Sequence, residues 1–158
     1  MRHASRARGF SLTEILVVLA LAGLAIAITV PLVAENVNQA RIRSAADQFS
    51  VDLRAARMIA VSKRATPFLD VSVQPDPVNR YSFVNGRGET RTVQLPTGVR
   101  IITPSTAYTV RYLRDGSVSG GGNTTVLRVQ LSAGAQEEWR VLTNAMGVTR
   151  TTRTRISS

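Results

Sequence analysis

The sequence predicts an α+β protein in which a long amino-terminal helix packs on an antiparallel β-sheet domain. Three patterns predict it. An uncharged apolar run extends from Ile15 to Ala34, apolar residues then recur at helical spacing as far as Ala60, and short stretches of alternating apolar and polar residues follow from Leu69 onward. The helix is therefore expected to be apolar on all sides at first and amphipathic afterwards.

The apolar run is long enough to cross a bilayer, because about 20 helical residues at roughly 1.5 Å each span the roughly 30 Å of hydrocarbon. Arg2, Arg6 and Arg8 precede it with no acid among them, and this bias keeps the amino terminus cytoplasmic. An ordinary secretory signal has a shorter core followed by a cleavage site. Here the expected cut comes before the run, between Gly9 and Phe10, where glycine lets a protease approach the backbone.

Glu14 lies at the start of this run and requires an explanation. A charged side chain at the bilayer centre costs roughly 2.5–3.5 kcal/mol, less near an end, so its presence indicates a specific partner. Ser11-x-x-Glu14 also fits a capping box, in which both side chains satisfy free backbone N–H groups at a helix start. The two interpretations are compatible, and a plain single-pass anchor with a capped first turn is the simplest alternative.

The helix is expected to run from about Phe10 to about Lys63, with a bend at Pro31, because proline removes a helical hydrogen bond and clashes with the preceding turn. Its amphipathic part has an apolar stripe made of Ile42, Ala46, Phe49, Leu53, Ala56 and Ala60. The opposite side is expected to carry Arg41, Arg43, Asp47, Arg54 and Arg57.

Period-two alternation predicts strands in the second half of the chain. The alternating residues are Leu69, Val71 and Val73; Tyr81 and Phe83; Tyr108, Val110 and Tyr112; Leu127, Val129 and Leu131; and Trp139 and Val141. Glycine, proline and asparagine clusters separate them, including Asp115-Gly116 and a hairpin at Ser132 to Gln136. Short strands joined by tight turns predict antiparallel sheets.

The composition argues against an enzyme. The chain has no cysteine, and its single histidine, His3, precedes the expected cut, so disulfides, thiolate metal sites and most nucleophilic or zinc chemistry are excluded. We expect no cofactor and no metal.

The formal net charge is +10, of which three charges precede the cut. From Arg140 to Ser158 there are four arginines and no acid, which makes the carboxyl terminus a basic patch.

Gly9-Phe10-Ser11-Leu12-Thr13-Glu14 and the apolar run after it resemble the leader of type IV pilins and type II secretion pseudopilins. The resemblance implies cleavage by the prepilin peptidase after Gly9 and N-methylation of Phe10. It also implies that Glu14 pairs with the amine of a neighbouring subunit during assembly. Opposite charges in a low dielectric attract strongly, and each is costly if left alone, so subunits are favoured in the register that pairs them.

Segments further along the chain resemble the H-type minor pseudopilins, the GspH/FimT family. They are Leu53 to Ala60 with its Ala-Arg pair, Tyr112 to Gly121 with its Asp-Gly and Gly-Gly steps, and Gly147-Val148-Thr149-Arg150. The resemblance implies a hetero-oligomeric filament with other pilin or pseudopilin subunits, with this subunit near the tip. It divides the chain into a leader (1–9), a transmembrane segment (10–34), an amphipathic helix (35–65) and a β-rich periplasmic domain with a basic tail (66–158).

The expected function is therefore a minor subunit of a type II secretion pseudopilus or a type IV pilus, anchored in the bacterial inner membrane. Some members of the resembled family are DNA receptors, which makes double-stranded DNA uptake through Arg150, Arg153 and Arg155 the alternative. In a strand, Arg153 and Arg155 share a face and Arg150 lies on the other. A solvated basic tail, one that touches anionic lipid, and a membrane-tethered sensor or scaffold remain open.

Overall fold

The described chain contains one long helix and eight strands. The structure is a computed structural model, and it describes residues 11–62, 68–131 and 135–156. The helix α1 covers Leu12–Ser62. The strands are β1 (Phe68–Gln74), β2 (Arg80–Val84), β3 (Thr90–Gln94), β4 (Val99–Thr103), β5 (Tyr108–Leu113), β6 (Asn123–Gln130), β7 (Gln136–Thr143) and β8 (Thr149–Ile156). The predicted α+β class is confirmed.

The chain divides into two compact units, Met1–Glu35 and Asn36–Ser158. In the first unit, large apolar side chains lie all around α1 and are between 49% and 78% exposed. They include Leu12, Ile15, Leu16, Val17, Val18, Leu19, Leu21, Leu24, Ile26 and Val33. A helix surface that is apolar on every side requires cover from other apolar groups.

The sequence predicts a transmembrane segment over 10–34. Among the described residues, no helix combines the length and the apolar character that crossing a membrane requires. The helix includes position 31, and the bend predicted at Pro31 stays a prediction.

The second unit holds two four-stranded sheets within its described residues, with strand orders β3-β2-β1-β5 and β4-β6-β7-β8. Every neighbouring pair is antiparallel. The β4–β6 register shifts between Ile101 and Thr103. By contrast, β7 pairs over eight unbroken positions with β6 on one side and with β8 on the other.

The predicted apolar stripe of α1 is buried, with no member more than 4% exposed. Phe49 packs edge-on against Tyr81 of β2, with 4.8 Å between the ring centroids. The same core cluster includes Val71 of one sheet and Leu127 of the other. The stripe thus belongs to a core shared by two sheets, a detail that the predicted packing of the helix on an antiparallel β-sheet domain did not include.

The five predicted strands coincide with β1, β2, β5, β6 and β7, while β3, β4 and β8 were not predicted. In β3 and β8 most side chains are exposed, so no apolar alternation marks them. Backbone pairing along neighbouring strands orders these two edges instead. The residues 132–134 of the predicted hairpin, and Lys63 at the predicted helix end, lie outside the described residues.

Candidate functional site

The first turn of α1 carries the predicted assembly carboxylate. Gly9 and Phe10 lie outside the described residues. Glu14 is exposed, and its N–H donates to the Ser11 carbonyl at 3.1 Å. The Ser11 hydroxyl bonds to the Thr13 hydroxyl at 2.7 Å, and the capping box stays a prediction. Within residues 11–62, 68–131 and 135–156, the Glu14 carboxylate forms no ion pair.

The three segments that resemble the H-type subgroup meet around Arg57. The sequence placed Arg57 on the exposed side of α1, but the side chain is half-buried, and its Nε donates to the Gly116 carbonyl at 3.0 Å. Gly147 has φ +75°, and a Cβ added to it would lie 2.1 Å from the Gly116 oxygen and 2.8 Å from Arg57 Nε. Residues 57, 116 and 147 thus form one close-packed junction.

A groove of about 740 Å³ opens beside this junction. Its apolar rim is exposed, with Met58 at 72%, Val61 at 47% and Val148 at 44%. Arg54 crosses it and donates from Nη2 to the Thr149 carbonyl at 3.4 Å. The remaining lining residues are Arg57, Ser62, Asp115 and Gly147. The lining thus combines an apolar rim with two arginines and one carboxylate.

Two polar features flank the groove. The Ser117 hydroxyl and backbone N–H both bond to Asp115, at 2.6 and 2.9 Å, and they lower the pKa of that carboxyl. The Tyr112 hydroxyl is buried beside the Thr143–Thr149 hydroxyl pair, and burial raises its pKa. Within the described part of the chain, this hydroxyl makes no hydrogen bond of regular geometry. These groups order the turns around Arg57.

The carboxy-terminal arginines lie in β8, at the edge of its sheet. Its register with β7 is unbroken, so Arg153 and Arg155 lie on one face and Arg150 on the other. Arg153 is committed to an ion pair with the buried Glu137, with Nε–Oε1 and Nη2–Oε2 distances of 3.0 Å each. The Trp139 indole N–H donates to the same carboxylate at 2.7 Å.

The opposite face of this sheet is basic. Arg100, Arg128, Arg140 and Arg150 lie on strands β4, β6, β7 and β8 at positions that alternate with the core residues. Glu138 lies beneath them, only 3% exposed, where it accepts from Arg128 Nε at 2.9 Å and lies 3.7 Å from Arg140. The basic surface that the sequence assigned to a tail is therefore part of a sheet.

A buried carboxylate on α1 was missed by the sequence analysis. Asp52 is 3% exposed and accepts hydrogen bonds from the Tyr81 hydroxyl at 2.6 Å and from Gln48 at 3.0 Å. Arg91 of β3 lies 3.5 Å away. Burial and the bond to Asp52 raise the pKa of Tyr81. The sequence did contain a signal for the burial of Asp52, because this residue lies beside Phe49 and Leu53 in the apolar stripe.

These sites contain no group of three or more metal-ligating side chains within residues 11–62, 68–131 and 135–156. The predicted absence of enzyme activity stays a prediction. The arrangement is suited to contacts between proteins, because its exposed features are an apolar helix, an apolar groove and a sheet edge.

Comparison with known families identifies the amino-terminal segment. The family model of the prokaryotic N-terminal methylation motif matches residues 4–30, a stretch that includes Gly9, Phe10 and Glu14. Comparisons with curated proteins and with solved structures found no match. The matched stretch is a type IV pilin-like leader with the first part of the helix, and it does not extend into the β-rich unit.

Proposed function

We propose that this chain, with its type IV pilin-like leader, is a minor subunit of a type II secretion pseudopilus or a type IV pilus. The prepilin peptidase removes residues 1–9 and methylates the amine of Phe10. The helix then anchors the subunit once in the bacterial inner membrane, and the β-rich unit lies in the periplasm. The subunit supports secretion or pilus assembly mechanically, without catalysis and without a cofactor.

One observation carries the proposal: the first unit exposes apolar side chains all around α1, and the exposed Glu14 lies in the first turn of this helix. Lipid and the helices of neighbouring subunits supply the apolar cover. The methylated amine of Phe10 on a neighbouring subunit supplies the cation for Glu14. Each charge is costly alone in low dielectric, so pairing favours one register between subunits.

Placement in the H-type subgroup is supported by the junction around Arg57. The Ala-Arg, Asp-Gly and Gly-Val segments lie far apart along the chain, yet Arg57, Gly116 and Gly147 touch. These contacts explain the subgroup pattern by packing. Arg57 bonds to the Gly116 carbonyl, and a side chain at Gly147 would collide with both residues.

The alternative is a DNA-binding minor pilin. The basic face with Arg100, Arg140 and Arg150 supports it, since arginines spaced over several strands suit contact with phosphates. Arg153 supports it less, because Glu137 already occupies its guanidinium.

Mass spectrometry of the mature amino terminus tests the proposal. We expect that, on co-expression with a prepilin peptidase, the chain begins at N-methylated Phe10. Gly9→Leu is expected to retain the leader, because a side chain at that position blocks close approach of the protease. Gly23→Ala is the control, since a Cβ there meets nothing within 4 Å. A native chain that keeps its leader, or is cut after Ala34, would overturn the proposal.

A further inference from the structure

The outer edge of β8 is unpaired by any described strand. The strand ends the order β4-β6-β7-β8 and spans Thr149–Ile156. All of its residues after Arg150 are exposed except Thr151, which is half-buried. An open edge of this length presents a row of backbone donors and acceptors to any strand that approaches it.

The register identifies which backbone groups face outward. Asn144 N–H donates to the Val148 carbonyl at 3.0 Å, which closes the β7–β8 hairpin with a hydrogen-bonded pair. Antiparallel pairs alternate between hydrogen-bonded and non-hydrogen-bonded. Counting from this pair, Arg150 and Thr152 bond to β7, whereas the N–H and C=O groups of Thr151 and Arg153 point away from it.

The contact made by the Thr149 carbonyl agrees with this alternation. The alternation directs that carbonyl away from β7, and Arg54 of α1 donates to it at 3.4 Å. The groove beside the Arg57 junction begins at this end of the edge, because Thr149 and Val148 line it. The edge and the groove therefore form one continuous surface.

The positive charge of β8 determines which kind of strand can pair with its outer edge. The strand Thr149–Ile156 carries Arg150, Arg153 and Arg155 and no acid. A second copy of β8 would add three more arginines and no acid to this edge, and like charges close together across paired strands destabilise a sheet. Glu137 pairs with Arg153, but the strand keeps an excess of positive charge, which guards against self-pairing and favours a partner that carries carboxylates.

We propose that the β8 edge binds an extended acidic segment of a different protein by β-strand addition. The backbone groups of Thr151 and Arg153 pair with it, and an apolar side chain at its end enters the groove beside Met58 and Val148. The proposal adds a partner site to the subunit and does not depend on its assembly into a filament.

The test uses the full-length protein in detergent micelles. The probe is an eight-residue synthetic peptide that alternates glutamate with threonine and carries a terminal leucine, and the control peptide has lysine in place of glutamate. We expect the acidic peptide to slow amide hydrogen exchange at Thr151 and Arg153, measured by NMR. The amides of Arg150 and Thr152 should change little, because they already bond to β7.

A variant and a modified peptide check the mechanism. Thr151→Pro removes an outward N–H while leaving the bonds to β7, and we expect about tenfold weaker peptide binding, whereas Thr151→Val should bind as the native chain does. A peptide N-methylated at alternate backbone nitrogens tests the same bonds on the native protein, and it should also bind about tenfold more weakly.

Three results would overturn the proposal. They are equal binding by the Thr151→Pro variant and by the N-methylated peptide, equal binding of the lysine peptide, and self-association of the native chain that Thr151→Pro abolishes. The last result would identify a second copy as the occupant.

Discussion

Arg153 and Glu137 form a two-point ion pair between β8 and β7, with both nitrogen–oxygen distances at 3.0 Å. The Glu137 side chain is only 1% exposed, while that of Arg153 is 51% exposed. A buried carboxylate is costly unless it is paired and hydrogen-bonded. The pair therefore ties the edge strand β8 to the core, and Arg153 has a structural role before any role in binding.

Arg153→Ala should lower the free energy of unfolding by about 2–3 kcal/mol, because it leaves a buried carboxylate without its cation. Arg150→Ala, on the opposite face, should change it by less than about 0.5 kcal/mol. Fluorescence of Trp139, the single tryptophan, can follow unfolding of the full-length protein in detergent. Adding Glu137→Gln should remove part of the loss, and equal effects of the two alanine variants would contradict this role.

The DNA alternative predicts a specific dependence on salt. If duplex DNA binds the basic face, Arg140→Ala and Arg150→Ala should each make the plot of log affinity against log salt shallower by about 1. Arg153→Ala should alter the slope less, because Glu137 already neutralises it. Fluorescence anisotropy with a labelled duplex measures the slope. Binding that none of these variants changes would remove the carboxy-terminal arginines as the receptor.

Gly147→Ala should destabilise the β-rich unit by about 3 kcal/mol. Gly147 has φ +75°, which strains the backbone of an alanine, and the added Cβ would lie 2.1 Å from the Gly116 oxygen. The backbone strain and the steric clash both lower the stability of the fold. Gly120→Ala is the matched control, because its φ is +84° but nothing lies within 4 Å of the added atom. That variant should lose only about 1 kcal/mol. Similar melting temperatures for the two variants would mean that the junction adapts to a side chain.

Glu14→Gln should reduce incorporation of the subunit into filaments about tenfold, because a neutral amide cannot form an ion pair with the amine of Phe10. Glu35→Gln, which removes an acid from the same helix outside the motif, should incorporate normally. Immunoblotting of sheared filaments measures incorporation. Cleavage of the leader should proceed in both variants, so undiminished incorporation of Glu14→Gln would remove the charge pair from the assembly mechanism.

Ser117→Ala should raise the pKa of Asp115 toward its ordinary value, because the Ser117 hydroxyl is the main cause of the lowering. Ser119→Ala should not change it. A carboxyl whose pKa falls on folding stabilises the fold above its unfolded pKa of about 4 and loses that contribution as the pH falls through its folded pKa. NMR titration of the Asp115 carboxyl measures the shift. An unchanged pKa in the Ser117 variant would contradict the assigned cause.

Elements with a strong apolar period were predictable from the sequence. The stripe from Ile42 to Ala60 repeats at helical spacing, and the strands around Val71, Tyr81 and Val141 alternate, so burial on one face fixes their type. The leader was predictable for a different reason, since a peptidase reads a short linear segment without any tertiary contact. Gly9, Phe10 and Glu14 lie within the matched family model.

The exposed edge strands were not predictable in this way. Apart from Ile156, β8 consists of threonine and arginine and has no buried apolar residue, so its order depends on pairing with β7 and on the bond of Arg153 to Glu137. The place of Arg57 also depends on contacts distant in sequence, because the Gly116 carbonyl draws a side chain inward that its helical position assigned to solvent.

The local order of residues is enough to predict the class of the fold, the apolar character of the first helix segment and the signal at its start. The division of the described strands between two sheets, the ion pair of Arg153 and the edge of β8 that no described strand pairs emerge only in the folded chain. The physical reason is that charge pairing and backbone satisfaction depend on which distant groups become neighbours when the core closes.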